Sequence, residues 1–371
     1  MQKPNLASTQ ALAEVERLIA KQRSPGAQYL FASPHAVLAE SNIGVADLAT
    51  GRTVTSRTTF NAFSVTKTIT AAAILQLAEQ EQLDLDAPVS KYVDLPPNPA
   101  GPTIRQTLTH RGGFANPNPL PWVHLAAEHT RFDPARFVHD TLQQHGRPKR
   151  RPGERVAYSN VGYLLLGEVI ARVSGQAYVE YVQQRLIQPL QLPQSETLAF
   201  KINQAQFHAH GTLVRRSLLN LVFGWFVDRS RFTASQHGQW LQLRHLQLNG
   251  DAYGGLIANA RGLAHYALSL LAGDTLVSAA SRDLLFGPAR DAEGQSLGHS
   301  LGWFIGHLDG EPYAAHAGGG IGYYSELRAY PRLARASVLM LNGTGVKDVR
   351  LLDRIDARLL AQNLTAPGSA R

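Results

Sequence analysis

The spacing of apolar and polar residues predicts regular elements at the start of the chain. Residues from Ser8 to Arg23 follow the pattern of an amphipathic helix, and residues 28–32 and 36–45 read as two strands joined by a turn at Pro34. An alanine-rich stretch from Thr68 to Gln80 predicts the next helix. The first third of the chain is therefore expected to mix helix and strand.

The middle of the chain, from about residue 85 to residue 250, has mainly helical and loop patterns. Thr103 is placed to cap a short helix. The apolar pattern from Val161 to Val173 predicts a longer helix that stops at Gly175.

The last third of the chain changes to short alternating runs that are typical of strands, followed by a closing helix over Asp348–Gln362. The strand-like runs are Leu301–Leu308, Pro312–His316, Tyr323–Tyr330 and Ala336–Asn342. Because strands and helices occur at both ends with helices between them, we predict an α+β fold. It has a discontinuous α/β domain (residues 1–84 and 250–371) and a mainly helical domain (residues 85–249).

Composition narrows the classes of function. The chain has 371 residues, 44% of them hydrophobic, which is enough for a sizeable core. It has no cysteine, so disulfides, thiolate metal ligands and a cysteine nucleophile are excluded. The formal net charge is +8, and the one dense basic run is Arg147-Pro148-Lys149-Arg150-Arg151. We interpret this run as a solvated loop, because no nucleic-acid-binding motif accompanies it.

No targeting or membrane segment is evident. Glu14, Glu16 and Arg17 interrupt any apolar stretch near the N-terminus, and no run reaches the roughly 20 apolar residues of a bilayer span. Leu218–Val227 is interpreted as a core helix, a pocket lid or an interfacial segment. A cytoplasmic location is the expectation, with a trimmed leader left open.

Ser64 and Lys67 form the first candidate catalytic motif. They lie three residues apart at the start of a predicted helix, so their side chains share a face. A serine hydroxyl is a poor nucleophile at neutral pH, and a desolvated, partly neutral amine can take its proton. Unpaired N–H groups at the helix N-terminus would stabilise a negative oxygen. The alternative is an N-cap serine with a solvated lysine one turn later.

Tyr158-Ser159-Asn160 precedes the helix that begins at Val161. Beside a lysine ammonium, the tyrosine anion becomes more accessible, and the phenol can pass protons to a leaving group. Asn160 could donate to a substrate carbonyl or bond to the lysine. The alternative is a half-buried tyrosine with Ser159 or Asn160 as the N-cap.

His316-Ala317-Gly318-Gly319-Gly320 ends a predicted strand. Glycines allow a substrate to approach the backbone closely. The N–H of Gly319 could pair with that of Ser64 as an oxyanion hole. The alternative is a flexible hairpin connection with a surface histidine.

The order and spacing of these motifs resemble the serine β-lactamase and penicillin-binding-protein superfamily, in particular its class C β-lactamase-like branch of esterases and peptidases. That family has Ser-x-x-Lys, then Tyr-x-Asn, then Lys-Thr-Gly or His-x-Gly, and here these are Ser64/Lys67, Tyr158/Asn160 and His316/Gly318. The resemblance spans roughly residues 25–345 and includes further segments at residues 83–89, 108–114, 254–256 and 301–303. It implies a β-lactamase-like fold, in which an antiparallel sheet is flanked by helices and the active site lies against a mainly helical domain.

The resemblance also implies roles for the site residues. Ser64 would be acylated. Lys67 and Tyr158 would act as the general base pair, with Tyr158 returning the proton to the leaving group. Asn160 would orient the site, and His316 would replace the lysine of the third motif.

Two departures from the family pattern bear on the substrate. Ala317 stands where many relatives carry a hydroxyl residue, which weakens the case for efficient β-lactam binding. Arg111 and Gly112 replace the Thr-Ser that often follows His110. Arg111 could meet an anionic substrate or form a structural salt bridge.

The function predicted from these residues is a serine hydrolase for a small-molecule ester or amide, with carboxylesterase activity leading. An acyltransferase, a β-lactamase or D-amino-acid peptidase, and a catalytically inactive binding protein are the alternatives. Trp122 and Leu218–Trp225 are candidate pocket walls, or core residues. We expect no cofactor and no nucleic-acid partner. We also expect no metal, since His208 and His210 have no evident third ligand.

Overall fold

The computed structural model describes residues 6–21, 24–95, 101–117, 122–216, 229–290, 293–344 and 350–363. Its α-helices are α1 (Leu6–Ala20), α2 (Thr66–Glu79), α3 (Ile104–Leu108), α4 (Pro134–His145), α5 (Asn160–Ser174), α6 (Tyr178–Val182), α7 (Arg229–Phe232), α8 (Asp251–Gly254), α9 (Ala260–Leu271), α10 (Ala279–Phe286) and α11 (Leu351–Asn363).

The strands fall into one large sheet and three small ones. They are β1 (Gly26–Ser33), β2 (Ala36–Asp47), β3 (Arg52–Thr53), β4 (Phe60–Asn61), β5 (Val123–Leu125), β6 (Leu198–Ala199), β7 (Thr212–Val214), β8 (Thr233–His237), β9 (Trp240–Leu243), β10 (Leu246–Leu248), β11 (Ile257–Ala258), β12 (Phe304–Leu308), β13 (Glu311–Gly320), β14 (Tyr323–Tyr330) and β15 (Arg335–Leu341).

The large sheet joins the two ends of the chain. Its order is β12-β13-β14-β15-β1-β2-β3, and each neighbouring pair is antiparallel. Strands predicted in both terminal regions therefore meet in one sheet, which confirms the α+β, β-lactamase-like fold class.

Both faces of this sheet are buried, and the residues of β1 alternate between them. Tyr29 and Phe31 belong to the hydrophobic cluster that includes α1 and α11, whereas Leu30 and Ala32 belong to the main core on the other face. The predicted terminal helices are observed as α1 and α11, and they cover one face together. The three candidate motifs lie on the other side.

A buried polar network fastens α11 to the sheet. Asp356 accepts hydrogen bonds from Tyr29 Oη at 2.9 Å, Tyr330 Oη at 2.6 Å and Ser337 Oγ at 2.8 Å. These three hydrogen bonds compensate part of the cost of burying the Asp356 side chain, and they give each buried hydroxyl a partner.

Helix α2 is the central helix of the main core, and residues 66–77 are all buried. A helix buried all round needs small or apolar side chains on every face, which explains its alanine-rich sequence. Gly302, at φ +82, lies against it, and a Cβ there would meet Ala71 Cβ at 2.6 Å and the Lys67 carbonyl oxygen at 3.0 Å. Packing on every face and the close contact with Gly302 thus fix the helix that carries Lys67.

The predicted elements of the middle region are largely confirmed. Thr103 caps α3 and forms a reciprocal capping box with Gln106. Ser159 caps α5, and Gly175 ends it at φ +70. Strands β5 to β10 also lie in this region, and their two to five residues are too few to show a clear period in the sequence. The domain division at residues 84/85 and 249/250 stays a prediction.

Some predicted features lie outside the described residues, among them Leu218–Val227 and the start of the closing helix at Asp348. Within the described ranges, none of the helices combines the length and apolarity that a bilayer crossing requires.

Candidate active site

Ser64 lies on a 3₁₀ turn, Phe63–Val65, that leads into α2. Phe63 has φ +48, a left-handed conformation that is uncommon for a bulky residue. Its ring is held 6.1 Å from the ring of Tyr323, and a Cβ on Gly320 would lie 2.2 Å from it. This packing keeps the strained turn in place, so the half-buried Ser64 is presented at the start of the helix.

Lys67 is fully buried, and its Nζ contacts three oxygens. Ser64 Oγ lies at 3.1 Å, Asn160 Oδ1 at 2.9 Å and the Tyr253 carbonyl oxygen at 2.8 Å. Burial lowers the pKa of Lys67 well below its usual value. A neutral amine keeps two N–H donors, which match Asn160 and Tyr253, so its lone pair is left to accept the proton of Ser64.

Tyr158 lies at the mouth of the site, immediately before α5. Lys67 Nζ is 4.9 Å from the centre of its ring, and the ring of His110 is 4.3 Å away on centroids. The residue is 39% exposed, so one side of it is open. Burial of the other side raises the pKa of the phenol, and a hydrogen bond with Ser64 acts in the opposite direction. Tyr158 is therefore a protonated phenol at neutral pH.

Two residues that the sequence did not single out hold the segment from Tyr158 to Asn160. Asn116 Nδ2 donates to the Tyr158 carbonyl at 3.3 Å, and Asn116 Oδ1 accepts from the Asn160 N–H at 2.7 Å. His110 Nδ1 accepts from the Ser159 N–H at 3.2 Å. His110 was recognised only as part of a family-like segment, and Asn116 stands in a proline-rich stretch without periodicity.

His316 lies on β13 with 1% of its surface exposed. Its Nδ1 is 2.9 Å from the Ala317 carbonyl oxygen, which can only accept, so Nδ1 carries the proton and Nε2 is a buried atom without a partner. Burial lowers the pKa of His316 to about 3. His316 is neutral and does not supply the positive charge of a third-motif lysine.

Gly318 brings β13 against Ser64. A Cβ at this position would lie 2.1 Å from the Ala62 carbonyl oxygen and 2.9 Å from Ser64 N, so the contact requires glycine. Gly319 is exposed, and a Cβ there would meet no atom within 4 Å. Strand β12 pairs with β13 only as far as Ala315, so the glycine-rich end of β13 extends beyond it. The oxyanion hole from Ser64 N–H and Gly319 N–H stays a prediction.

Arg111 contacts the loop that precedes Tyr158. Its guanidinium donates to the Gly153 carbonyl, and its Nε is buried without a partner. Among the described carboxylates, none forms an ion pair with it. Arg111 therefore holds a backbone segment in this structure.

Trp122 supports the site from the core. Its ring is 7% exposed and lies 5.1 Å from the ring of Tyr253, whose carbonyl accepts from Lys67.

The ring of His245 stacks on that of His210 at 4.0 Å, but no group of three or more potential ligands that could hold a metal occurs among the residues that the structure describes.

The fold joins an antiparallel sheet to a helical region, and it brings Ser64, Lys67 and Tyr158 close together. A family model described as Beta-lactamase matches residues 12–362. The chain therefore belongs to the beta-lactamase family, within the serine β-lactamase and penicillin-binding-protein superfamily.

Relatives and solved structures agree with this assignment. Penicillin-binding protein 4* of Bacillus subtilis (strain 168) is 23% identical over 299 residues, covering 79% of this chain and 63% of its own length. The chain thus spans less than two thirds of that relative. The D-amino acid amidase from Ochrobactrum anthropi SV3 matches with a TM-score of 0.78 at 16% identity, covering 96% of this chain and 99% of that one. EstCE1, titled a hydrolase with promiscuous acyltransferase activity, matches with a TM-score of 0.71 at 17% identity, covering 95% and 98%. At these identities the two structures show the fold alone.

Proposed function

We propose that this protein is a serine hydrolase that cleaves a small-molecule ester or amide through an acyl-enzyme on Ser64, and that its principal activity is that of a carboxylesterase. The observation that carries the proposal is the buried amine of Lys67, 3.1 Å from Ser64 Oγ and with its pKa lowered by burial. An amine that is neutral near physiological pH can act as the base that a serine nucleophile needs.

Acylation begins when the Ser64 hydroxyl gives its proton to Lys67 Nζ and its oxygen attacks the carbonyl carbon. The N–H groups of Ser64 and Gly319 would stabilise the oxyanion that forms. Tyr158, as a protonated phenol, donates to the leaving group and takes a proton from the Lys67 ammonium. The bond from carbon to the leaving group breaks, an alcohol or amine departs, and Lys67 is neutral again.

Deacylation uses the same groups in the reverse order. Water gives a proton through Tyr158 to Lys67 and attacks the acyl carbon. The bond between the acyl carbon and Ser64 Oγ breaks, the proton on Lys67 returns to Ser64, and a carboxylic acid leaves. The base is thus regenerated in each turnover.

The site favours esters over β-lactams because two described residues beside Ser64 do not offer the groups that would hold a substrate carboxylate. Ala317 has no hydroxyl, and His316 is neutral. A second candidate, hydrolysis of amides or D-amino-acid peptides, is favoured by the end of β13 that β12 leaves unpaired, since an extended amide can bond to a free strand edge. Acyl transfer to an alcohol or amine is a variant of the same mechanism with another acceptor.

The test compares substrates on one enzyme. p-Nitrophenyl esters of varied chain length, nitrocefin and D-alanine amide are assayed with the wild type and with Ser64→Ala. We expect ester hydrolysis to exceed turnover of the other two and to disappear in Ser64→Ala. Amide or nitrocefin turnover above that of every ester would reject the esterase, and equal activity of the two proteins would reject Ser64 as the nucleophile.

A further inference from the structure

The basic run that the sequence places before Tyr158 is part of an exposed loop in the structure. We call residues 147–155 the basic loop. It has five exposed cations and one carboxylate, Glu154, and none of these cations pairs with a carboxylate of the described residues. The cations are Arg147, Lys149, Arg150, Arg151 and Arg155.

The basic loop is fixed to the wall of the active site by its backbone. The N–H groups of Lys149 and Arg150 donate to the Gly113 carbonyl at 2.9 and 3.3 Å, and the Gly153 N–H donates to the Arg111 carbonyl at 2.8 Å. The Arg111 guanidinium donates back to the Gly153 carbonyl. The loop therefore runs along residues 111–113 and has a defined place.

The basic loop lies next to Tyr158, the proposed proton donor to the leaving group. The Ala157 N–H donates to the His110 carbonyl at 2.7 Å, and the His110 ring lies 4.3 Å from the Tyr158 ring at an interplanar angle of 36°. Arg155 is three residues from Tyr158 and Arg151 is seven, so their Cα atoms lie within at most about 11 and 25 Å of that of Tyr158. The Debye length is about 30 Å at 10 mM ionic strength, so both charges act on the mouth of the site there. At physiological ionic strength it is about 8 Å, and their effect is weaker.

The loop also supplies charge that the interior of the site lacks. His110 and His316 are buried and neutral, and Lys67 is a buried amine whose N–H groups bond to protein oxygens. Arg151 and Arg155 of the loop supply positive charge that is open to solvent on the Tyr158 side. A cleft rimmed by one sign of charge attracts ligands of the opposite sign.

Resting on the proposed function, we propose that the basic loop selects esters or amides whose leaving group carries an anionic group, such as a carboxylate or phosphate. Tyr158 gives its proton to the leaving group, so that part of the substrate lies on the side from which the loop arrives. The acyl part lies towards β13, on the other side of Ser64.

The test uses 4-nitrophenyl acetate and 3-carboxy-4-nitrophenyl acetate, which differ by a carboxylate on the leaving group. The variant Arg151→Gln/Arg155→Gln is compared with Lys21→Gln/Arg332→Gln, which removes the same charge from exposed positions just after α1 and after β14. The measured quantity is the ratio of kcat/KM for the carboxylated ester to that for the neutral ester. Because both rates come from one sample, the ratio does not depend on the fraction of folded enzyme.

At about 10 mM ionic strength we expect this ratio to fall roughly three- to tenfold in Arg151→Gln/Arg155→Gln and to stay at the wild-type value in the control, with a smaller difference at about 0.3 M salt. A ratio equal to that of the wild type would overturn the inference and leave the proposed function standing. A second pair, mono-4-nitrophenyl adipate and 4-nitrophenyl hexanoate, places the charge on the acyl part, and a larger loss there would overturn the inference as stated. Hydrolysis of none of these esters by the wild type would overturn the proposed function itself.

Discussion

Replacing Asn160 by aspartate puts a negative charge beside Lys67 with almost no change in the shape of the side chain. Asn160 Oδ1 accepts from Lys67 Nζ at 2.9 Å, so a carboxylate oxygen would take the same place. The proposed mechanism needs Lys67 as a neutral amine. An adjacent carboxylate stabilises the ammonium and removes the base.

The size of this effect follows from the distance. Two unit charges 2.9 Å apart attract each other by about 6 kcal/mol at an effective dielectric constant of about 20, which corresponds to about four pKa units. Water that reaches the cleft reduces this value, so we expect the pKa of Lys67 to rise by roughly two to four units. Each unit by which the pKa of Lys67 then exceeds the working pH should lower the rate of Ser64 acylation about tenfold.

The assay is the pH dependence of the acylation rate with a p-nitrophenyl ester. In Asn160→Asp the acid limb of the profile should move to higher pH, and raising the pH should recover activity. Asn116→Asp is the matched control, because this side chain bonds to the backbone of Tyr158 and Asn160 rather than to Lys67. An Asn160→Asp enzyme with an unshifted limb, or an equal shift in both variants, would refute Lys67 as the base.

Three further predictions test other parts of the account. Tyr158→Phe should slow alkyl esters more than p-nitrophenyl esters, because an alkoxide needs a proton to leave and p-nitrophenolate does not; equal slowing of both would contradict the role of Tyr158. Gly318→Ala should lower kcat by roughly 10²–10³, because its Cβ would lie 2.1 Å from the Ala62 carbonyl oxygen and force the strand from the oxyanion site; unchanged kcat would argue against that site. Burial lowers the pKa of His245 to about 4 and of His316 to about 3, so the unfolded chain binds more protons below about pH 6.5, and the free energy of unfolding should fall by on the order of 1–3 kcal/mol per histidine towards pH 4. Urea titrations at pH 7 and 4.5 that give equal stability would contradict this burial.

Local patterns were enough to predict the elements that carry the site. The caps at Ser159 and Gly175 and the apolar residues between them determine α5, and alanine-rich α2 was evident for the same reason. The three motifs could be ordered along the chain because each begins or ends such an element. Strands of two to five residues have too short a pattern, so β5 to β10 were missed.

Contacts between distant segments could not be predicted from local patterns. The Tyr253 carbonyl that accepts from Lys67 is 186 residues away, and a carbonyl group carries no sequence signal. The left-handed φ of Phe63 depends on its packing against Tyr323 and Gly320.

The protonation states also depend on the fold. The sequence suggested that a lysine ammonium makes the tyrosine anion more accessible. In the structure, burial lowers the pKa of Lys67 and raises that of Tyr158, which favours the neutral amine of Lys67 and the protonated phenol of Tyr158. Burial has a larger effect on these two pKa values than the attraction between an ammonium and a phenolate. Burial depends on how the core is assembled, so it cannot be predicted from a local sequence pattern.

The most direct test of the central claim is peptide mass spectrometry of the folded protein after reaction with a fluorophosphonate. The account predicts one adduct, located on Ser64, which is absent in Ser64→Ala and forms more slowly in Lys67→Met. An unmodified Ser64 in folded wild-type protein, or equal labelling of wild type and Lys67→Met, would contradict it.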